Sequence, residues 1–374
     1  MAIARTRSCA LILALTCICG TTIAQTQPAD SKEPSKAMVT QVTPLVPPED
    51  RNAAIAYLLA MQNLPTDFVT KAADIDYDAC GTTRESLDKN EKFKAAVAVM
   101  DSFNAGTWVK ASQLRTCDFQ WAREEGFALL LPHLGKMRTA ARSLRFLARQ
   151  ELGNDNPAKA AEYLATMVRM SNHITGDGFL ISSLVGVAIT SLSMTEMQTL
   201  AQSGRLDEPS RKVLLDALET INKEDPFLMR ACIDTEEASV FASIIGKYQG
   251  PDAGRHFAKE MLEMNGSEDT ATQLRAKILD EWDGDRLERE AQKAHAAFDA
   301  IRAAWDDKDP VVALAEAEAR ASREEFGVVA AILCPAMGKA RQSSLKVCRD
   351  IEETIALIKT AKLATDAAPA SAAP

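Results

Sequence analysis

Residues 144–175 read LRFLARQELGNDNPAKAAEYLATMVRMSNHIT. This stretch decides the fold class. Leading into it, Leu134, Met137, Ala141, Leu144 and Ala148 recur every three to four residues, the spacing that lines one face of an α-helix with apolar side chains. Asn156-Pro157 then places a capping side chain before a proline at the first helical position, where the missing N–H removes no hydrogen bond. The stretch therefore predicts one helix over 132–152, a tight connection, and a second helix over 157–175.

The same signals extend in both directions. Val213, Leu214, Ala217, Leu218 and Ile221 repeat at helical spacing, and Asp207-Glu208-Pro209 and Asp225-Pro226 read as further helix starts. No run alternates apolar and polar residues as a half-buried strand would. Helices are expected over 50–62, 65–73, 84–103, 122–131, 132–152, 157–175, 179–203, 208–223, 226–248, 252–264, 269–282, 286–306, 310–326 and 335–363. Composition agrees: among 374 residues there are only 17 Gly, 15 Pro and 5% aromatics, against 47% apolar residues. That excludes collagen-like, low-complexity and wholly disordered chains and disfavours an all-β fold, which needs many turns. Four Trp and four Tyr are few for a carbohydrate-stacking enzyme. The expected fold is all-α, built of stacked antiparallel helix pairs in one domain over 50–363.

The ends read differently. Arg5 and Arg7 precede an apolar stretch from Cys9 to Gly20, and Thr22-Ile23-Ala24 offers small residues where a signal peptidase reads. Residues 1–24 are expected to be a secretory signal peptide cleaved near Ala24, too short for a membrane span. Cys17 and Cys19 raise a lipoprotein alternative, but Thr16 and Ile18 precede them where a small residue is usual, so a soluble product is expected. Residues 25–49 carry Pro28, Pro34, Pro44, Pro47 and Pro48 and read as an exposed tether; 364–374 is an Ala/Pro-rich, disordered tail. The formal charge is −9; the first 24 residues hold two Arg and no acid, so −11 remains after their removal. A chain this acidic repels phosphate backbones, and no nucleic-acid partner is expected.

Residues 178–195, GFLISSLVGVAITSLSMT, are eighteen uncharged positions in a row. That reaches the lower edge of membrane-span length, ~17–25 residues. Ser182, Ser183, Thr190, Ser191 and Ser193 dilute it, and no basic flank follows, so a central buried helix is expected and no transmembrane segment in the mature chain. Gly178, Ser182, Gly186 and Thr190 recur every fourth residue, a strip that lets another backbone approach closely. Of the five cysteines beyond the signal, Cys80 and Cys117 both lie in expected loops and are the favoured disulfide pair. Cys334 and Cys348 are 14 apart, about 21 Å along one helix, too far to bond.

Residues 144–175 resemble a tetratricopeptide-type helix hairpin: an apolar helix, a Gly turn and an Ala-led second helix. Glu151 stands where such repeats prefer an aromatic, and the next comparable Gly, Gly204, comes 51 residues later against the ~34 of those repeats, so the likeness is local. Over a wider span, Cys117-Asp118-Phe119, Leu130 to Arg138 and Leu180 to Gly186 resemble a family of exported bacterial all-helical proteins to which no activity is attached.

Four constellations carry candidate chemistry. Asp74, Asp76, Asp78, Thr82 and Glu85 fall at positions 1, 3, 5, 9 and 12 of an EF-hand-type calcium loop, though Ala79 replaces the usual Gly at position 6. A solvated acidic loop is the plainer reading, with calcium the only cofactor suggested. Second, Leu131-Pro-His-Leu-Gly-Lys136-Met-Arg138 parallels Cys334-Pro-Ala-Met-Gly-Lys339-Ala-Arg341. In each, proline opens a helix whose cations oppose its dipole. A bound anion relieves that conflict, as do acidic neighbours at a helix junction. Third, the helix 226–248 is apolar almost all round except for a stripe of Arg230, Asp234 and Glu237, with Glu236 on the opposite, polar side. Such charges pair structurally or hide a catalytic carboxylate. Fourth, His133, His173, His256 and His295 are scattered, with no HExxH, Gly-x-Ser-x-Gly, phosphate-binding glycine loop or CxxC; a Cys/His pair formed by folding stays open.

The expected function is that of an exported, non-catalytic helical binding or scaffold protein of the periplasm or cell envelope, its groove taking a protein or peptide partner. The alternative is an exported helical hydrolase using Glu237. An enzyme requires Arg230, Asp234 or Glu237 to line an open pocket beside a second polar group.

Overall fold

A computed structural model describes residues 51–75, 83, 85, 89–122, 129–265, 270–334 and 337–364. The regular structure among them is helical, with no strand. In the N-terminal third, α1 is Ala53–Gln62, α2 Phe68–Ala73, α3 Glu91–Met100 and α4 Ala105–Ser112. The centre holds α5 (Pro132–Gly153), α6 (Pro157–Thr175), α7 (Leu180–Gln202) and α8 (Glu208–Glu219). Then come α9 (Met229–Lys247), α10 (Ala253–Asn265), α11 (Thr270–Leu279), α12 (Gly284–Trp305), α13 (Pro310–Ser322), α14 (Val328–Leu333) and α15 (Met337–Thr360).

Local chemistry sets several boundaries where the sequence marks them. The Asn156 side chain accepts from the Lys159 N–H ahead of Pro157, and Asp207 accepts from the Ser210 N–H ahead of Pro209. The turn between α5 and α6 pivots on Asp155, whose φ of 60° is left-handed, while Gly153 is still inside α5.

α6 is the centre of the packing. It lies against α5, α7, α8 and α4. α7 is long and apolar enough to cross a membrane, yet it is mostly buried here. Its small-residue strip meets α6. Ser171 Oγ donates to the Gly186 carbonyl at 2.8 Å, Thr190 Oγ1 donates to Ser171 Oγ at 2.8 Å, and Ser193 Oγ donates to the Leu164 carbonyl at 3.0 Å. A Cβ on Gly186 would come within 2.5 Å of the Thr175 methyl, so glycine sets this close approach. α15 returns from the C-terminal part to cover α7 and α8, and α9 packs on α12. One continuous core runs from Ala53 to Ile358. Each large apolar side chain buried in it contributes about 1.5–3 kcal/mol.

Three expectations are corrected. Residues 121, 122 and 129–131 are not helical, so no helix spans 122–131 as patterned. Pro226 is not the first helical residue: Leu228 takes a left-handed φ of 52° and α9 starts at Met229, with both oxygens of Asp225 accepting the Met229 and Arg230 N–H groups at 3.0 and 2.9 Å. Two short helices, α4 and α14, were not expected; α4 is anchored by the fully buried Trp108.

Candidate functional site

The charged stripe of α9 faces α12. Glu237 is held from two sides: His295 Nδ1 lies 2.6 Å from Oε1, and Arg302 binds Oε2. Arg302 also reaches Asp234 at 2.8 Å and Asp299 at 2.9 Å, while Arg230 sits 3.9 Å from both Asp234 and Asp306. The His295 ring stacks on Phe241. Asp234 is 63% exposed, so the stripe lies along a partly open seam and α9 is not apolar almost all round. Both oxygens of Glu237 are committed to holding α12.

Glu236 is also corrected. It does not point to a polar side: it turns inward and accepts the Leu180 N–H at 2.9 Å, capping the first residue of α7. Burial pushes its carboxyl pKa up, against the pull of that backbone hydrogen bond.

The repeated phrase opens two helices on different elements. In the first copy Lys136 and Arg138 are exposed near the start of α5, and His133 is buried. In the second copy the Gly338 N–H at the start of α15 donates to Glu318 of α13 at 2.5 Å. The anion at this helix end is thus the chain's own carboxylate, raised in pKa by burial. Lys339 is exposed, and the Arg341 guanidinium stacks over Trp305, 4.4 Å from the ring centre.

Of the calcium-loop residues, Asp74 caps the end of α2 and Glu85 binds Lys89 at 2.5 Å; Asp76, Asp78 and Thr82 lie outside the described residues. Cys80 does too. Cys117 carries a free thiol, pushed well above the ordinary cysteine range by burial and then by Asp177 and Asp118. Cys334 is pushed up to about 12 by burial and Glu318. Both stay protonated at neutral pH and are poor nucleophiles.

Folding also builds clusters that no local spacing announces. His133 Nε2 lies 2.8 Å from Asp177 Oδ2, which accepts from Ser182 Oγ at 3.1 Å, all three side chains buried. The imidazole packs against Phe119 and Trp121. The carboxylate stands between serine and histidine, so the imidazole does not activate the hydroxyl as a nucleophile. Between α5 and α7, the buried Glu196 takes Arg145 and Arg149, each at 2.7 Å.

One open groove has the form of a docking site. It lies between α10 and α11, encloses about 920 Å³, and has Ala258, Leu262 and Ala276 along its floor. Its rim mixes signs, with Lys259 and Lys277 beside Glu263 and Glu281. Just past the end of α11, the Trp282 carbonyl accepts the Gly254 N–H of α10 at 2.9 Å and Asp280 bridges to Arg255 at 3.0 Å.

No family model, curated protein or solved structure matches this chain.

Proposed function

We propose that this is an exported helical binding protein whose α10–α11 groove takes an amphipathic peptide segment of a protein partner. The observation that carries the reading is the groove itself: a small-residue apolar floor framed by charges of both signs. Ala258 and Ala276 leave room for the partner's apolar side chains, and the mixed rim gives orientation and selectivity more than affinity. The volume falls within the ~300–1,000 Å³ of ligand-binding clefts. Export is supported by the features of residues 1–24. The pairing of Glu237 and Asp234 with Arg302, which joins α9 to α12, supports a structural role for these carboxylates over the hydrolase alternative.

A photo-crosslinking side chain at Lys259 should trap a protein or peptide in the cell envelope. Filling the floor with Ala276→Trp should abolish the adduct. Absence of any adduct, or one indifferent to Ala276→Trp, removes this reading.

A further inference from the structure

A second pocket, of about 440 Å³, lies over α6 between the end of α4 and the side of α8. Gln113, Asn156, Lys159, Glu162, Arg169 and Val213 line it. Arg169 is the unusual member. It is half-buried, and among the described residues it has no hydrogen-bond or ion-pair partner. A guanidinium presents five N–H donors and is normally found against a carboxylate, carbonyl or water when it leaves bulk solvent. Two carboxylates are near enough to influence Arg169, but each is already bound elsewhere. Glu162 is held by Lys159, and Asp216 is held by Lys212 through both oxygens, at 2.7 and 2.9 Å. The Lys159–Glu162 pair is neutral, so Arg169 is the unbalanced charge among the lining residues, while Glu151 is held by the lining Asn156 at 3.0 Å.

Desolvation already weighs on this charge, lowering the pKa of Arg169. On its inner side Arg169 acts electrostatically on Tyr57 and His173, neither of which supplies a negative charge at neutral pH. Gln113, at the end of α4, has no side-chain partner among the described residues and adds an amide to the wall.

We propose that this pocket binds a small oxyanion, a carboxylate or phosphate group, with Arg169 as its principal ligand. The planar fork of the guanidinium matches two oxygens of either group. Ala158 and Val213 offer apolar wall to the body that carries the anion. The site is independent of the α10–α11 groove and stands whether or not that groove binds a peptide.

The test is calorimetric titration of the full chain with sodium phosphate and, separately, sodium acetate, at constant ionic strength and millimolar anion. Binding of either is expected, and the anion preferred identifies the group. Arg169→Gln should weaken binding roughly tenfold to a hundredfold, the loss of a charge-assisted pair. Arg169→Lys should retain part of it, and Arg289→Gln, at an exposed site far along the chain, should retain all. Arg169 holds no structural bond, so circular dichroism should find the variants folded. No heat with either anion, or an Arg169→Gln titration matching wild type, overturns the proposal.

Discussion

The Tyr57 hydroxyl donates to Nδ1 of His173 across 2.9 Å, joining α1 to the last turn of α6. The direction is set by the other ring nitrogen: Nε2 faces the Leu114 carbonyl at 3.0 Å and must carry the proton. His173 is therefore neutral in the fold, and burial depresses its pKa to about 4, with Arg169 adding to the effect. The unfolded chain takes up this proton near the ordinary value of 6.5. The stability contributed by this group is complete above 6.5 and is lost as pH falls through about 4. The span corresponds to about 3 kcal/mol at most. Thermal melts between pH 7 and 4 should show the decline, and His173→Gln should flatten it. An unchanged slope in that variant would place the acid sensitivity elsewhere.

Glu236 separates charge from acceptor. Its raised pKa means that its contribution is present below the ordinary carboxylate value and is lost as pH rises through the folded value. Glu236→Gln keeps an oxygen for the Leu180 N–H and discards a charge that burial disfavours, so the melting temperature at pH 7 should hold or rise. Glu236→Ala bares the donor and should cost about 1 kcal/mol. Equal losses in the two variants would show that the negative charge at the head of α7 matters more than its burial.

Breaking the Glu196 pairing should be severe. Glu196 is 3% exposed and answers two guanidinium groups. Glu196→Ala leaves both without their carboxylate and should cost about 3–5 kcal/mol by urea unfolding. Asp234→Ala, at the open seam, should cost no more than about 1 kcal/mol. A reversal of that order would contradict the burial pattern of the two sites.

Two glycines differ in what surrounds them. A Cβ at position 254 would lie 1.9 Å from the Leu279 carbonyl oxygen and 2.7 Å from that of Trp282, both backbone. Neither yields without moving α11, and Gly254→Ala should cost about 3 kcal/mol or more. At Gly186 the nearest atom is the Thr175 methyl, which turns aside at the expense of its own hydrogen bond to the Asn172 carbonyl. Gly186→Ala should cost about 1–3 kcal/mol. Chemical denaturation of both variants checks the order.

The helical architecture was legible because each boundary is largely a local event. Asn156 and Asp207 cap the residues that follow them, and a sequence carries that pattern openly. Asp225 carries the same signal, but three residues later Leu228 adopts a left-handed conformation and the helix starts only at Met229. The α9 carboxylates show where periodicity stops. It placed Arg230, Asp234 and Glu237 on one stripe. It did not reveal that α12 would supply Arg302 and His295, or that the start of α7 would draw Glu236 inward. Arg169 is still harder to foresee. It is one arginine in an ordinary helix, and its isolation arises because lysines on α6 and α8 already engage the acids near it.

α15 lies on α7 and α8, and Gln198 and Arg211 reach Thr354 and the Ala361 carbonyl across some 150 residues of chain. A ribosome emits α7 long before it emits that cover. At ordinary elongation rates the interval is roughly ten to thirty seconds. Throughout it, the long apolar helix α7 lacks one of its walls. Until α15 is made, the face of α7 that it covers is open to other contacts, and the 24 residues of that helix are what close it.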